Sequence, residues 1–450
     1  MSKLLAISPL DGRYRNKGTY SERAKDLDEI AEFVSEYALI KARLGIEIKY
    51  LFALSKIGLV DLSAAERNKL LKALQNFDLK EAEKIKEIED ITRHDIKAVE
   101  LYLGKFLSEG TKEMIHFGLT SEDIATFAFR ITLRSASEEI IIPALEEIVK
   151  KLSNLARDHS KLPMLARTHG QPAVPTTLGK EFAVFASRLT LQLAKLKKIE
   201  FTGKLNGAVG NYNSLYFTYP EVDWIKFSKK FIESLDFRPN LLTTQVNSNE
   251  DLIEYFQIIR RINGVLLDLN QDIWRYISDG WFVLKSRTGQ VGSSTMPQKV
   301  NPILFENSEG NLEIANGLIE VFERKLPISR LQRDLSGSTV LRNIGVILAH
   351  SLLSYKGTFE GLSKISPNLE KIEEDLNKDW SILSEALQTY MRKQGSKDSY
   401  MRVMEKIKGK RLSEADWKRV LKELGIKDKR LLKLTPQTYT GLADKLAGLK

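Results

Sequence analysis

The chain has no cysteine among its 450 residues. That absence excludes disulfide bonds, cysteine-ligated zinc sites and a thiol nucleophile, and it is typical of a reducing compartment. No run of about 18 apolar residues is present, so no membrane span is expected. The apolar stretch near the first methionine is too short for a secretory signal, which predicts a cytoplasmic protein. Alternating strand patterns are nearly absent, and five scattered histidines do not predict a metal site.

The formal net charge of +10 raises the question of a nucleic-acid partner. Most of the excess positive charge lies in 364–450, where Lys and Arg alternate with Asp and Glu as on a solvated helical surface. The chain carries no recognised nucleic-acid motif and no aromatic and basic platform. No nucleic-acid partner is therefore expected.

Apolar residues recur at helical spacing in three long segments, 141–155, 182–196 and 250–281. A helix of about 30 residues is about 45 Å long, and its apolar stripe must be covered in a bundle or a coiled coil. The sequence therefore predicts an all-α fold around a central bundle of long helices. The stretch 203–220 is the only plausible irregular or hairpin insertion.

The length suggests two to four domains, at about 150 residues each. Breaks in the helical pattern predict three helical domains. These are an N-terminal domain (1–112), a central long-helix bundle (113–363) and a Lys-rich C-terminal domain (364–450).

Residues 289–302 read Gly-Gln-Val-Gly-Ser-Ser-Thr-Met-Pro-Gln-Lys-Val-Asn-Pro. Glycine, serine and two prolines predict a loop with exposed hydroxyls and backbone N–H groups. Such a loop beside the cation of Lys299 suits an anionic ligand. The alternative is an ordinary surface loop between helices.

Two further segments contain histidine in a polar setting. His169 lies in 165–172, between two prolines that predict a loop or a helix entry, and histidine is well suited to donate a proton near pH 7. The alternative is a structural histidine. In 92–95, Asp95 near a helix start predicts an N-terminal cap, while Arg93 and His94 there would suit a phosphate.

Two more segments are rich in hydroxyls. Residues 115–123 predict a helix cap at Thr120 or Ser121. In 333–342, two arginines flank a hydroxyl cluster, which suits bidentate phosphate recognition. The alternative there is a surface ion pair between Arg333 and Asp334.

The 289–302 segment matches the Gly-Ser-Ser-x-Met-Pro-x-Lys-x-Asn-Pro signature and resembles the fumarase/aspartase superfamily. The Thr-His-x-Gln-Pro box around His169 is similar to the same superfamily. The Ser-Pro-Leu-Asp-Gly-Arg-Tyr opening and the Thr-Arg-His-Asp, Gly-Leu-Thr-Ser-Glu-Asp and Arg-Asp-x-Ser strings resemble adenylosuccinate lyases of the bacterial purine-pathway type. The resemblance covers nearly the whole chain, although Gln298 stands where relatives often have His or Tyr.

The resemblance implies β-elimination of fumarate from adenylosuccinate, giving AMP, and from the succinyl-carboxamide ribotide SAICAR, giving AICAR. It assigns the general base to Ser293 and the general acid to His169. Residue chemistry alone favours a histidine as the base, because a serine alkoxide needs Lys299 and the loop amides to stabilise it. The resemblance also implies that Lys299 and Asn301 bind a substrate carboxylate and that Glu306 orients the catalytic histidine.

The implied substrate contacts come from the whole length of the chain. The succinyl side is assigned to Thr120, Ser121, Thr168 and Gln245. The nucleotide and phosphate side is assigned to Arg13, Tyr14, Arg93, His94, Arg333, Ser338 and Arg342, with His116 as a weaker addition. The other implied substrate-binding residues are Asp95, Ser294 and Met296.

The resemblance implies no cofactor and no metal. It also implies a homotetramer whose shared active sites combine the His169, Ser293 and Thr120 regions of different subunits. Two alternatives remain: another elimination enzyme of the superfamily, and a non-enzymatic helical scaffold. The arginine-containing boxes disfavour the first, and the joint presence of His169, Ser293 and Lys299 disfavours the second.

Overall fold

A computed structural model describes residues 7–15, 24–285, 296 and 299–449 of the chain. These residues are mostly α-helical, and their few short strands form two-stranded sheets. The predicted all-α class is confirmed. No helix within the described ranges is long and apolar enough to cross a membrane.

Helices of very different lengths follow one another along the chain. The first are α1 (Pro9–Gly12), α2 (Ala24–Val34), α3 (Glu36–Lys56), α4 (Ala64–Gln75), α5 (Leu79–Thr92), α6 (Asp95–Gly104), α7 (Glu109–Lys112), α8 (Ser121–Ala136), α9 (Ile142–Asp158), α10 (Leu178–Leu196) and α11 (Asn213–Thr218). They are followed by α12 (Trp224–Ser234), α13 (Glu250–Ser278), α14 (Ile303–Lys325), α15 (Ser336–Leu341), α16 (Ile344–Lys364), α17 (Leu369–Asn377), α18 (Ser384–Lys393), α19 (Ser399–Ile407), α20 (Glu414–Glu423), α21 (Lys429–Leu432) and α22 (Ala443–Leu446). The strands are β1 (Pro163–Thr168), β2 (Gln171–Thr177), β3 (Thr202–Gly203), β4 (Arg238–Pro239), β5 (Phe282–Leu284) and β6 (Ile365–Pro367).

The chain divides into two compact units. Unit 1 comprises Met1–Ala144, Leu193–Asn263 and Asn311–Ser354. Unit 2 comprises Leu145–Gln192, Gly264–Gly310 and Tyr355–Lys450. The three-domain organisation with boundaries near 112 and 363 stays a prediction.

The three segments with helical periodicity form α9, α10 and α13, as predicted. In α13, Leu252, Phe256, Ile259 and Ile262 are buried in unit 1, which is the stripe that the sequence pattern indicates. Burial of that stripe, rather than helix propensity, stabilises so long a helix.

A buried polar triad joins α13, α14 and α16 in unit 1. The amide of Asn263 donates to Asn316 Oδ1 at 3.1 Å and to Ser351 Oγ at 3.3 Å. Because a buried amide without a partner is costly, this unit 1 triad favours one alignment of the three helices.

A second triad joins the same three helices in unit 2. Asn270 Nδ2 donates to Ser308 Oγ at 2.8 Å, and Thr358 Oγ1 donates to Asn270 Oδ1 at 3.0 Å. The Ser308 and Thr358 hydroxyls are 2.9 Å apart, which closes the unit 2 triad. Polar contacts therefore fix the helix register in both units.

The segment around His169 is a β-hairpin, so the predicted loop or helix entry is wrong. Strands β1 and β2 pair antiparallel with a bulge between Leu165 and Arg167. His169 and Gly170 form the two-residue turn, with φ of 53° and 72°, as in the turns that match strand twist. The prolines are compatible with these strands because each strand of a two-stranded sheet has one unpaired edge, where no backbone N–H is needed for pairing.

Candidate active site

The start of α8 is fixed by a buried carboxylate. Thr120 caps the helix, as predicted, and its N–H donates to Asp123 Oδ2 at 2.9 Å. Asp123 also accepts from Lys204 Nζ at 2.8 Å and from the N–H groups of Asn206 and Gly207 at 3.0 and 3.1 Å. Both charged side chains are fully buried, so this ion pair holds the helix start against the 204–207 segment.

Two predicted substrate contacts meet beside α8. Arg333 donates to Gln245 Oε1 at 3.1 Å and pairs with Glu122 at 3.0 Å. Burial raises the pKa of Glu122, and the Arg333 cation opposes that rise. The alternative pairing of Arg333 with Asp334 is not formed, because Asp334 contacts Arg330 instead.

The Gln245 segment packs against a tight turn. Gln245 Nε2 donates to the carbonyl of Ala208 at 2.7 Å. Gly210 has a φ of 83°, and a Cβ atom there would lie 2.1 Å from the carbonyl oxygen of Thr243. Only glycine therefore allows this close approach.

A cavity of about 390 Å³ lies beside Glu122. Its lining includes Glu122, Thr244 and the predicted contact Ser338. This volume falls within the usual range for small-molecule sites.

The Thr-Arg-His-Asp segment forms the start of α6, and His94 rather than Asp95 is the cap. His94 Nδ1 accepts from the N–H of Lys97 at 3.1 Å. Nε2 lies 3.4 Å from Ser121 Oγ, so two predicted contacts are neighbours. Asp95 pairs with Arg43 at 2.9 Å and lies 4.0 Å from the predicted contact Arg342.

Three predicted site residues adopt left-handed backbone conformations. Arg93, His116 and His169 have φ between 53° and 56°. Such conformations cost about 1–3 kcal/mol in residues other than glycine and cluster at functional sites. The same conformation occurs at Tyr212, Asp236, Leu331 and Asp398, so it does not by itself identify a functional residue.

Arg13 and Tyr14 belong to unit 1, where the Arg13 guanidinium lies 5.9 Å from the centre of the Tyr14 ring.

Thr168 and His169 belong to unit 2, at the tip of the hairpin. Arg167, beside them, lies 5.5 Å from the centre of the Trp281 ring and anchors that tip.

The remaining predicted residues lie before or within the start of α14, in unit 2. Met296, Lys299 and Asn301 precede the helix, and the N–H of Lys299 donates to the carbonyl of Met296 at 3.1 Å. Glu306 accepts a hydrogen bond of 3.0 Å from the indole of Trp274. Within the described ranges, no hydrogen bond or ion pair joins His169 to Lys299 or Glu306. Ser293 and Ser294 lie outside the described residues.

Family models match most of the chain. A model described as lyase matches residues 21–316, and a model described as adenylosuccinate lyase C-terminal matches residues 329–440. The chain is 43% identical to the adenylosuccinate lyase of Legionella pneumophila (strain Corby), over 99% of this chain and 98% of that protein. It is 40% identical to the adenylosuccinate lyase of Escherichia coli (strain K12), over 98% of each.

The chain belongs to the adenylosuccinate lyase family. Solved structures support the fold of this family member. A fumarate lyase from Mesorhizobium sp. BNC1 has a TM-score of 0.77 at 19% identity, over 93% of this chain and 96% of that one. A 3-carboxy-cis,cis-muconate lactonizing enzyme from Pseudomonas putida has a TM-score of 0.74 at 20% identity, over 93% and 95%.

Several side chains around the family motifs were not singled out from the sequence. They are Arg43, Glu47, Glu122, Lys204 and Trp274. A signal was available for the first two, since charged residues four apart interrupt an apolar stretch of a long helix. Lys204 and Trp274 acquire their partners only through tertiary packing.

Proposed function

We propose that the chain catalyses the elimination of fumarate from adenylosuccinate to give AMP, and from SAICAR to give AICAR. The observation that carries this proposal is 40–43% identity to adenylosuccinate lyases over nearly the whole chain. The presence of His169, Lys299, Asn301 and Glu306 supports it. Both substrates are small soluble nucleotides, so we also propose a cytoplasmic location.

In the proposed reaction a base removes a proton from the carbon next to a substrate carboxylate. The electron pair forms the double bond of fumarate, the C–N bond breaks, and an acid protonates the departing nitrogen. Ser293 is the proposed base and His169 the proposed acid. Lys299 and Asn301 would stabilise the negative charge that develops on the carboxylate.

The purified protein is expected to convert adenylosuccinate to AMP and fumarate, because the chain retains the proposed catalytic residues. Ultraviolet absorbance and a separate fumarate assay check this result, with argininosuccinate as the control substrate. Fumarate from argininosuccinate alone would overturn the nucleotide-site roles. A folded protein that is inactive with both would favour the scaffold alternative.

We further propose a homotetramer with active sites shared between subunits. Support comes from an apolar stripe on α14, where Ile303, Ile314 and Val321 are exposed. Gly310 and Gly317 continue that stripe, and a Cβ atom at either position would have no neighbour within 4 Å. The spacing is that of a helix face that packs against another helix.

A mixture of two inactive variants tests the shared sites. His169→Asn and Ser293→Ala subunits, dissociated and reassembled together, are expected to regain activity because some sites then contain both intact residues. Each variant taken alone through the same steps is the control. Sedimentation velocity gives the oligomeric state, and an active monomer would contradict the proposal.

A further inference from the structure

One buried face of α3 carries polar side chains at helical spacing. Arg43, Glu47 and Tyr50 are at most 3% exposed, although apolar residues surround them on this helix. Arg43 pairs with Asp95 at 2.9 Å, and the Tyr50 hydroxyl donates to the carbonyl of Phe117 at 2.7 Å. The row thus contacts both loops that carry the predicted substrate contacts of α6 and α8.

Two residues of this row have buried polar atoms without a hydrogen-bond partner among the described residues: Arg43, at Nε and Nη1, and Glu47. Oε1 of Glu47 lies 2.6 Å from His116 Nδ1, while its Oε2 is buried without a hydrogen-bond partner in the described part of the chain. Burying a half-satisfied carboxylate is costly, and such a group calls for a specific reason. His116 is the only partner of this carboxylate that the structure provides within those residues.

His116 is held in an unusual conformation. Its backbone has a φ of 56°, and its side chain is 13% exposed. Nδ1 faces Glu47, and Nε2 has no hydrogen bond to another described residue. A ring fixed through Nδ1 carries a proton there, so Nε2 is the atom left to contact a ligand.

The charges around His116 favour the cation. Burial is the largest single influence and opposes a charge on the imidazole, but the nearby carboxylates, Glu47 first, together raise the pKa of His116. Burial also raises the pKa of Glu47. Glu100 of α6 and Asp123 of α8 act in the same direction. These two carboxylates have their own partners, Lys97 at 2.7 Å and Lys204 at 2.8 Å, so Glu47 is the unshared counter-charge.

We propose that Glu47 is a positioning residue that fixes the His116 imidazole through Nδ1 and supplies its counter-charge, so that Nε2–H binds an anionic group of the substrate. The inference rests on the proposed function for the nature of that substrate. The contact between Glu47 and His116 stands independently of it.

Glu47→Gln keeps the size of the side chain and an oxygen that can accept from Nδ1–H, but it removes the charge. The KM for adenylosuccinate at pH 8 is expected to rise about tenfold, the scale of a lost charged hydrogen bond, while kcat changes little. The charge on His116 is present below its pKa and is lost above it. In the variant KM should therefore begin to rise at a lower pH than in the unaltered protein.

Tyr50→Phe is the matched control on the same helix face. It removes the buried hydrogen bond to Phe117, the neighbour of His116, without touching the imidazole. We expect a lower melting temperature but an unchanged KM and pH profile. If Glu47→Gln, like Tyr50→Phe, lowers the melting temperature but leaves KM and its pH profile unchanged, the Glu47 contact is only structural and the proposal is wrong.

A direct titration separates this inference from the proposed function. Protein labelled with carbon-13 at histidine Cε1 gives one signal for each histidine, and loss of a signal in His116→Gln identifies His116. Its midpoint is expected above 6.5 in the unaltered protein and lower in Glu47→Gln. An equal midpoint in both overturns the inference, whereas absence of lyase activity with a shifted midpoint overturns only the proposed function.

Discussion

Replacing His169 with asparagine is expected to lower kcat for adenylosuccinate by about 100-fold or more, the usual contribution of a general acid. Asparagine tolerates the left-handed backbone at the hairpin tip, where φ is 53°, so the turn should persist. Without the imidazole, the departing nitrogen leaves as an anion unless water protonates it. Substrate binding, measured by calorimetry, should weaken far less than kcat falls.

The matched control is His159→Asn, another histidine of unit 2, to which no role is assigned. Its kcat should remain within about twofold of the unaltered protein, since this half-buried side chain is not among the predicted site residues. Equal losses in both variants would contradict the assignment of the acid to His169. A loss confined to KM in His169→Asn would make that residue a binding group instead.

Replacing Lys204 with methionine is expected to lower the free energy of unfolding by about 3–5 kcal/mol, the cost of removing one partner of a buried ion pair. The substitution leaves the Asp123 carboxylate fully buried without its cation. The remaining N–H donors, from Asn206 and Gly207, cannot neutralise that charge. Urea unfolding followed by circular dichroism measures the change.

Two further variants make this prediction specific. Adding Asp123→Asn to the methionine variant removes the unpaired charge and should restore part of the lost stability. Lys406→Met breaks an exposed ion pair of similar length, 2.8 Å to Glu423, and should cost no more than about 1 kcal/mol. An equal loss of unfolding free energy in the Lys204 and Lys406 variants would show that burial does not increase the effect of breaking an ion pair.

Local features of the fold were predictable from the sequence. Periodic apolar residues located α9, α10 and α13 because a helix buries one face along its whole length. A cap at Thr120 or Ser121 was predicted because a hydroxyl followed by acidic residues is typical of a helix start, and the structure places it at Thr120. The hairpin at His169 was not predicted, because the prolines in this segment are typical of a loop. The left-handed turn that makes a hairpin possible is evident only in the structure.

The partners of the site residues were not predictable. Glu47 and His116 are 69 positions apart, and Asp123 and Lys204 are 81 apart. No local pattern encodes such a pair, because it depends on which helices become neighbours. The resemblance to a family located Arg333, but its contact with Gln245 required the fold.

The two polar triads of α13, α14 and α16 affect which parts of this fold can diverge in evolution. They fix helix alignment from within, by contacts that do not involve the segments at the helix ends. The segments at the helix ends can therefore be replaced while the alignment of the three helices is kept.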